Sequence, residues 1–354
     1  MDIVSATRRY EQWLGQQIPL VRKDLSSKHQ RMAESAFVLL RGTFYRWVQL
    51  WPELCPKVAD APVIPCVGDL HVDNFGTWRD TEGRLIWGIN DVDEACELPY
   101  TNDLVRLATS AILAKRHGHF KLTVRELADA ILDGYAGALE YGGGPVVLEE
   151  RRRWLRQIAH TKLRDPKVFW TKLLNAPNAS GAIPHPLFKA SMPEPGVPYR
   201  VVRRIAGVGS LGHPRLVALA EWRGALIARE AKAWAPSAAV WIAGRKSSNV
   251  NGSTLLSCAV RAFDPFFRKV DGWLMRRLSP DCSRIELEEV PRVRDEERLL
   301  RAMGWETANV HLGHGRTLIR RDLRKRERRW LETAALAMSE AVEADWRTWT
   351  KRER

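Results

Sequence analysis

Two short apolar runs, residues 62–67 and Leu85–Ile89, each run out into a turn that carries a carboxylate, and this repetition constrains the fold most. Runs of five or six apolar residues bounded by polar turns read as strands. Asp69 and Asp91 therefore each stand just past a strand and can meet at one end of a sheet. Helices surround them. In residues 1–50 apolar Met32, Phe37, Leu40, Phe44 and Val48 recur at three to five residue steps until Pro52 and Pro56 stop the pattern, which predicts a helical opening. Asn102 or Thr101 can cap a helix through about Lys115, and Thr123 with Glu126 forms a capping box for another that ends at Gly142, Gly143 and Gly144.

Further along, six prolines fall between residues 176 and 198 and no apolar period survives among them, so this stretch is the best linker candidate. Beyond it YRVVRRIAGVG, PRLVALAEW and ALIAREA read as three strands, with a helix near residues 255–268 and a strand at Trp273–Leu278. From Asp295 onward the pattern is helical, and seven of the ten residues from 320 to 329 are basic. The expected organisation is a helical region at 1–60, an acid-turn region at 61–175, a linker at 176–198, a glycine-loop sheet at 199–290 and C-terminal helices at 291–354. A chain of 354 residues, 45% hydrophobic, can bury one large core or two modest ones.

A net charge of +14 favours anionic partners such as nucleotides, nucleic acid or acidic lipid without choosing among them. The five cysteines form no CxxC pair, which suits reduced thiols and argues against a zinc site. Neither a signal-peptide pattern nor eighteen consecutive apolar residues occurs, so the expectation is a cytoplasmic protein without a membrane span.

The acid turns carry more than topology. Asp69 and Asn74 have the D-x-x-x-x-N spacing by which a kinase catalytic loop sets a base and a magnesium ligand on one short turn. Gly207, Gly209 and Gly212 form GxGxxG, and the run that follows is strand-like, as in a hairpin lid over phosphates rather than a dinucleotide fold, which needs a helix there. Arg229, on the next strand, occupies the place of a phosphate-holding lysine. Arginine is bulkier, planar and always charged, so the exchange changes how phosphate is held. Lys232, of opposite strand parity, and Lys246 are the alternative ammonium donors.

The segments GDLHVDNFG, INDVDEA, DLVRLATS and GVGSLG, in that order, resemble the bacterial domain-of-unknown-function 2252 family. FVLLRG at residues 37–42 and GWETANVH at residues 304–311 are weaker echoes of it. That family is in turn similar to the protein-kinase-like and aminoglycoside-phosphotransferase folds. The resemblance implies an α+β, two-lobed kinase-like fold. Because the glycine loop follows the catalytic loop by some 140 residues, it also implies a circularly permuted lobe order. It makes Asp69 the acceptor of the substrate hydroxyl proton, with His71 orienting the loop and Asp103 bracing it. Asn74 and Asp91 become magnesium ligands, Asp93 is the rival to Asp91, and Gly207, Gly209, Ser210, Gly212 and Arg229 surround the phosphates of ATP.

The expected function is a Mg-ATP-dependent phosphotransferase acting on a small-molecule or protein hydroxyl. The alternatives are an ATP-binding pseudokinase, motivated by Arg229, and a nucleic-acid-binding protein using the basic stretch at 320–329, which otherwise reads as a solvated helix face. GDLH with Asp73 also fits the opening of a metallophosphoesterase, but the histidine-rich segments that two metals need do not follow. His311 and His314 read as structural histidines, and the fifteen tryptophans as packing groups.

Overall fold

The computed structural model describes residues 1–148, 152–162, 165–244, 252–282 and 293–353. Five helices open the chain: α1 (Ile3–Gln17), α2 (Arg22–Met32), α3 (Ala36–Gly42), α4 (Phe44–Leu54) and the single turn α5 (Pro56–Ala59). Asp2 caps α1 by accepting the Ser5 N–H at 2.7 Å, and Ser35 caps α3 in the same way through Val38. The helical opening expected from periodicity is present, broken into several pieces.

Strands β1 (Val63–Cys66), β2 (Phe75–Arg79), β3 (Leu85–Ile89) and β4 (Cys96–Pro99) follow. β1 pairs with β4, while β3 pairs with β2 on one side and with the two-residue β5 (Val146–Val147) on the other, all antiparallel. Between β4 and β5 run α6 (Thr101–Arg116) and α7 (Val124–Tyr141). The Thr123–Glu126 capping box starts α7, and Gly142, with a φ of 87°, ends it. The start of α6 differs from expectation. Tyr100 is its N-cap and no side chain caps it, because the Asn102 amide is engaged elsewhere, accepting from Trp47 Nε1 at 2.9 Å.

After β5 come α8 (Arg153–Lys162), α9 (Pro166–Leu174) and α10 (His185–Ser191). The proline-rich stretch is therefore more than a bare connector: it contains α10, whose Phe188 is fully buried against a sheet. That sheet has five antiparallel strands, β6 (Tyr199–Arg203), β7 (Arg215–Trp222), β8 (Ala225–Ala233), β9 (Arg268–Val270) and β10 (Trp273–Leu278), in the order β6-β7-β8-β10-β9. Side chains alternate across it. Val217, Leu219 and Ala228 pack on one face with Phe169 and Leu173 of α9, while Leu216, Ala218 and Ala231 pack on the other with Phe188.

The helix expected over 255–268 is a correction. Helices α11 (Ala238–Ala243) and α12 (Gly252–Ser257) are both short, and the chain from 258 to 267 runs through turns. Asp264, Pro265 and the tight Arg261–Ala259 turn leave no run of helical residues there.

Two long helices, α13 (Val293–Leu323) and α14 (Trp330–Glu353), complete the chain. α13 and α7 approach at two glycines. A Cβ on Gly134 would lie 1.8 Å from the Arg301 carbonyl, and one on Gly304 2.0 Å from that of Ile131. This close crossing delivers Glu306 and His311 of α13 to the acid turns. The largest core, from Ile3 to Trp349, joins the opening helices, β1–β4, α6, α7, α13 and α14. The architecture is α+β.

Candidate active site at the acid turns

The loop after β1 is held from beneath. Both oxygens of Asp103, fully buried in the first turn of α6, accept backbone N–H groups, from Val67 at 2.7 Å and Gly68 at 3.0 Å. His311 Nε2 lies 3.1 Å from the same carboxylate, and its Nδ1 lies 2.8 Å from the Tyr135 hydroxyl. A carboxylate that takes two backbone donors fixes a turn as a helix cap does. Cys66, Asp103 and His311 stand close enough to suggest a buried metal cluster. Their atoms are otherwise employed: the thiol is pushed well up by burial and points to the Leu98 carbonyl, so it is a poor ligand. His314 does not join His311 and faces the Leu255 carbonyl instead.

Asp69 projects from this loop into a cleft. Its Oδ1 accepts from Arg106 Nε at 2.9 Å and from Nη2 of the same side chain. Arg106 is itself fully buried, with its guanidinium carbon 5.1 Å and 5.0 Å from the rings of Phe44 and Trp47. Burial raises the Asp69 pKa while the Arg106 charge opposes that rise. Asn74 clamps two segments together, because Nδ2 donates to the Asp91 carbonyl at 2.8 Å and Oδ1 accepts the Asp91 N–H at 2.8 Å. Among the described residues no second hydrogen bond reaches Oδ1, which leaves its other lone pair for a ligand. His71 is buried and lines the cleft beside them.

Opposite stands the five-stranded sheet. Lys232 of β8, only 4% exposed, pairs with Asp93 and has Nζ 3.6 Å from Asp91 Oδ2. Two residues earlier on the same face, Glu230 binds Arg204, Arg215 and Arg276. Burial alone would raise its pKa, but the three guanidiniums hold it well below the usual carboxylate range. Arg204 and Arg215 are the two stems of the glycine loop, and Arg215 also donates to the Ser210 hydroxyl at 2.7 Å. Glu230 thus ties the loop to the sheet beneath it.

The loop closes over the acids. A Cβ on Gly209 would lie 3.5 Å from Asp69 Oδ2. Gly207, Gly209 and Ser210 line the cleft together with Asp69, His71, Asn74, Asp91 and Asp93, whereas Gly212 packs its backbone on Leu25 of α2. Helix α2 straps the loop down. Lys28 Nζ donates to the Gly209 carbonyl at 3.2 Å, and the Val21 N–H to that of Gly212 at 2.9 Å. Burial lowers the Lys28 pKa against the pull of Glu11, Glu94 and Asp69. Burial also pushes Glu94 up to about 7, opposed by the Ala238 N–H that it accepts at 2.7 Å. His213 is driven down to about 4 by its burial, so its imidazole is neutral at pH 7. In this closed form the cavity is about 60 Å³, room for on the order of four waters.

Arg229 does not join the group, which corrects its place beside the phosphates. β8 pairs Glu230 with Val217 and Arg229 with Ala218, and strand alternation sends Arg229 to the opposite face, against Phe266. Lys246 lies outside the described residues. Residues that the motifs did not single out complete the site: Lys28, Arg106, Glu94 and Arg41, whose guanidinium pairs with Asp73 at 2.7 Å. Arg41, Glu94 and Arg106 lie inside quoted motifs, so their signal was there, but Lys28 carries none.

Among the described residues no helix is long and apolar enough to cross a membrane. Residues 20–168 match the model of a family described as "Uncharacterized protein conserved in bacteria (DUF2252)". The match supports that family over the stretch that supplies Asp69, Asn74, Asp91 and Asp103, and the glycine loop lies beyond it. No curated protein and no solved structure matches the chain.

Proposed function

We propose that the chain is a Mg-ATP-dependent phosphotransferase acting on a hydroxyl group, with a kinase-like arrangement of permuted parts. One observation carries the reading: Asp69, Asn74, Asp91, Asp93 and Lys232 converge beneath a glycine loop. Phosphoryl transfer asks a protein mainly for alignment and charge neutralisation, which such a group supplies.

The donor set fits magnesium. It is all oxygen, as a hard cation prefers, and Asp93 Oδ1 is buried without a hydrogen-bond partner among the described residues. Asp91, Asp93 and the free lone pair of Asn74 would hold the ion, which would neutralise phosphate charge. Lys232 now neutralises both carboxylates and is placed to turn to the phosphates instead. Asp69 takes the proton of the acceptor hydroxyl. The acceptor oxygen then bonds to the terminal phosphorus of ATP, the bond from that phosphorus to the bridging oxygen breaks, and ADP leaves with the electron pair.

A whole nucleotide needs more room than the closed cavity offers, so the loop must rise. The contacts to release are those from Lys28 and Val21. Lys232 in the cleft supports an active enzyme over an inactive nucleotide binder, since it offers the ammonium that Arg229 does not. In the basic stretch Arg320, Arg326 and Arg329 are each paired with a carboxylate, which leaves the stretch fewer charges for nucleic acid.

The test measures ADP release and phosphate transfer across a panel of sugars, aminoglycosides, nucleosides and peptides, with wild type and Asp69→Asn. The reading expects Mg-ATP to stabilise both proteins against heat and only the wild type to turn over. Absence of both stabilisation and turnover sinks it.

A further inference from the structure

We infer that the face of the five-stranded sheet turned away from the cleft carries a second site, built on Arg229 and Arg268, for a phosphate dianion, free or esterified. Arg229 is 5% exposed, and no carboxylate forms an ion pair with it among the described residues. Its Nε donates to the Ser191 carbonyl at 2.9 Å and its Nη1 to that of Ala228 at 3.1 Å. No hydrogen bond from Nη2 occurs among the described residues, so one edge of the fork is open. The guanidinium carbon sits 4.3 Å from the Phe266 ring, which fixes the plane of the fork.

A second cation stands against the first. Arg277 of β10 is the register partner of Arg229, and its guanidinium carbon lies 4.8 Å from the same ring. Like charges directly opposite on neighbouring strands repel, and a buried charge without a partner is costly. The acid whose charge acts on both is Asp264, whose own pKa is raised by burial and whose Oδ1 accepts the Phe266 N–H at 3.0 Å. The arrangement is short of negative charge.

A cavity of about 180 Å³ lies beside it, lined by Ser191, Met192, Arg229, Phe266, Arg268 and Met275, with no acidic side chain on its wall. Arg276 also borders it, but that guanidinium is spent on Glu230 at the other face. Arg268 is exposed at the mouth and can swing its charge inward. Planar forks that present paired N–H groups suit the oxygens of phosphate, and a dianion answers two cations. The volume admits a phosphate together with a small organic group. This site is separate from the cleft and does not depend on the proposed transferase activity.

The experiment titrates the full-length chain calorimetrically with inorganic phosphate and with glycerol phosphate, at constant ionic strength. Saturable binding is expected, weakened at least tenfold by Arg268→Ala and by Arg229→Lys, which keeps the charge and loses the fork. Lys232→Met, which disables the cleft, should leave it unchanged. Tighter binding of the ester than of the free ion assigns the site to organic phosphates, and equal binding to the ion. Should Arg229→Lys fail to fold, the exposed Arg268→Ala decides. Failure of both ligands to saturate overturns the proposal. So does binding that survives Arg268→Ala and vanishes in Lys232→Met, since the phosphate would then sit in the cleft.

Discussion

The two walls of the cleft are held in different ways. The acid wall is fixed from inside its own fold: Asp103 grips two backbone N–H groups, Asn74 clamps Asp91, and Arg106 holds Asp69, all with little solvent access. The glycine loop is anchored at its stems by Glu230, but its middle is held by a helix about 180 residues earlier in the chain, through Lys28 and Val21. One wall is pre-organised at the expense of buried polar bonds. The other keeps a closed position that a few contacts maintain, so catalysis and loop closure should respond to different substitutions.

The sharpest contrast comes from Asp69. Asp69→Asn should reduce turnover by about 10²–10⁴-fold, the range for loss of a general base, and leave the melting temperature of the Mg-ATP complex close to wild type. Comparable losses of turnover and of nucleotide binding would erase the distinction between the walls. Next in size, Asp103→Ala strands the Val67 and Gly68 N–H groups in the interior and should cost about 3 kcal/mol in urea unfolding. A cost within 0.5 kcal/mol, roughly that of an ordinary surface change, would mean that the acid wall is not braced from below.

Lys28→Met tests the other wall. Removing the ammonium that reaches Gly209 should leave unfolding within about 1 kcal/mol of wild type, because the desolvated charge is lost along with its bond. Cleavage by a protease within residues 204–214 should nevertheless become faster. Unchanged protection would show that α2 is no strap. The smallest effect concerns pH. Burial lifts the Glu94 pKa from the usual carboxylate range to about 7 in the folded chain. The folded state therefore binds more protons than the unfolded state between about pH 4.5 and 7, and stability falls as pH rises through that window. A difference of order 1 kcal/mol between pH 5 and 7.5, absent from Glu94→Gln, is expected in urea titrations.

How far the sequence carried this picture follows from the kind of signal at each place. β3 and β10 were legible to the residue, because short apolar runs between turns have few alternatives, and the Thr123–Glu126 box marked its helix start by local chemistry alone. The approach of Asp69 to Asp91 was legible from strand ends, but a shared sheet was not: β1 pairs with β4 and β3 with β2 and β5, so the two acids reach one cleft from different sheets. Arg229 was not, since which face of a strand meets the cleft is set by pairing register, here Val217 with Glu230, and no local spacing encodes it. Lys28 lay in an unremarkable basic helix and gained its place only through tertiary packing. His311 was read as structural, and its partners are Asp103 and Tyr135.

Arg106 occupies one oxygen of Asp69 and leaves Oδ2 facing the loop. Under the proposed activity, a hydroxyl surrendering its proton to Asp69 would come to Oδ2, since Arg106 covers Oδ1. Under that activity, two mirror-image acceptors would bring their remaining substituents against different walls, and the tethered carboxylate would make the cleft a reader of handedness.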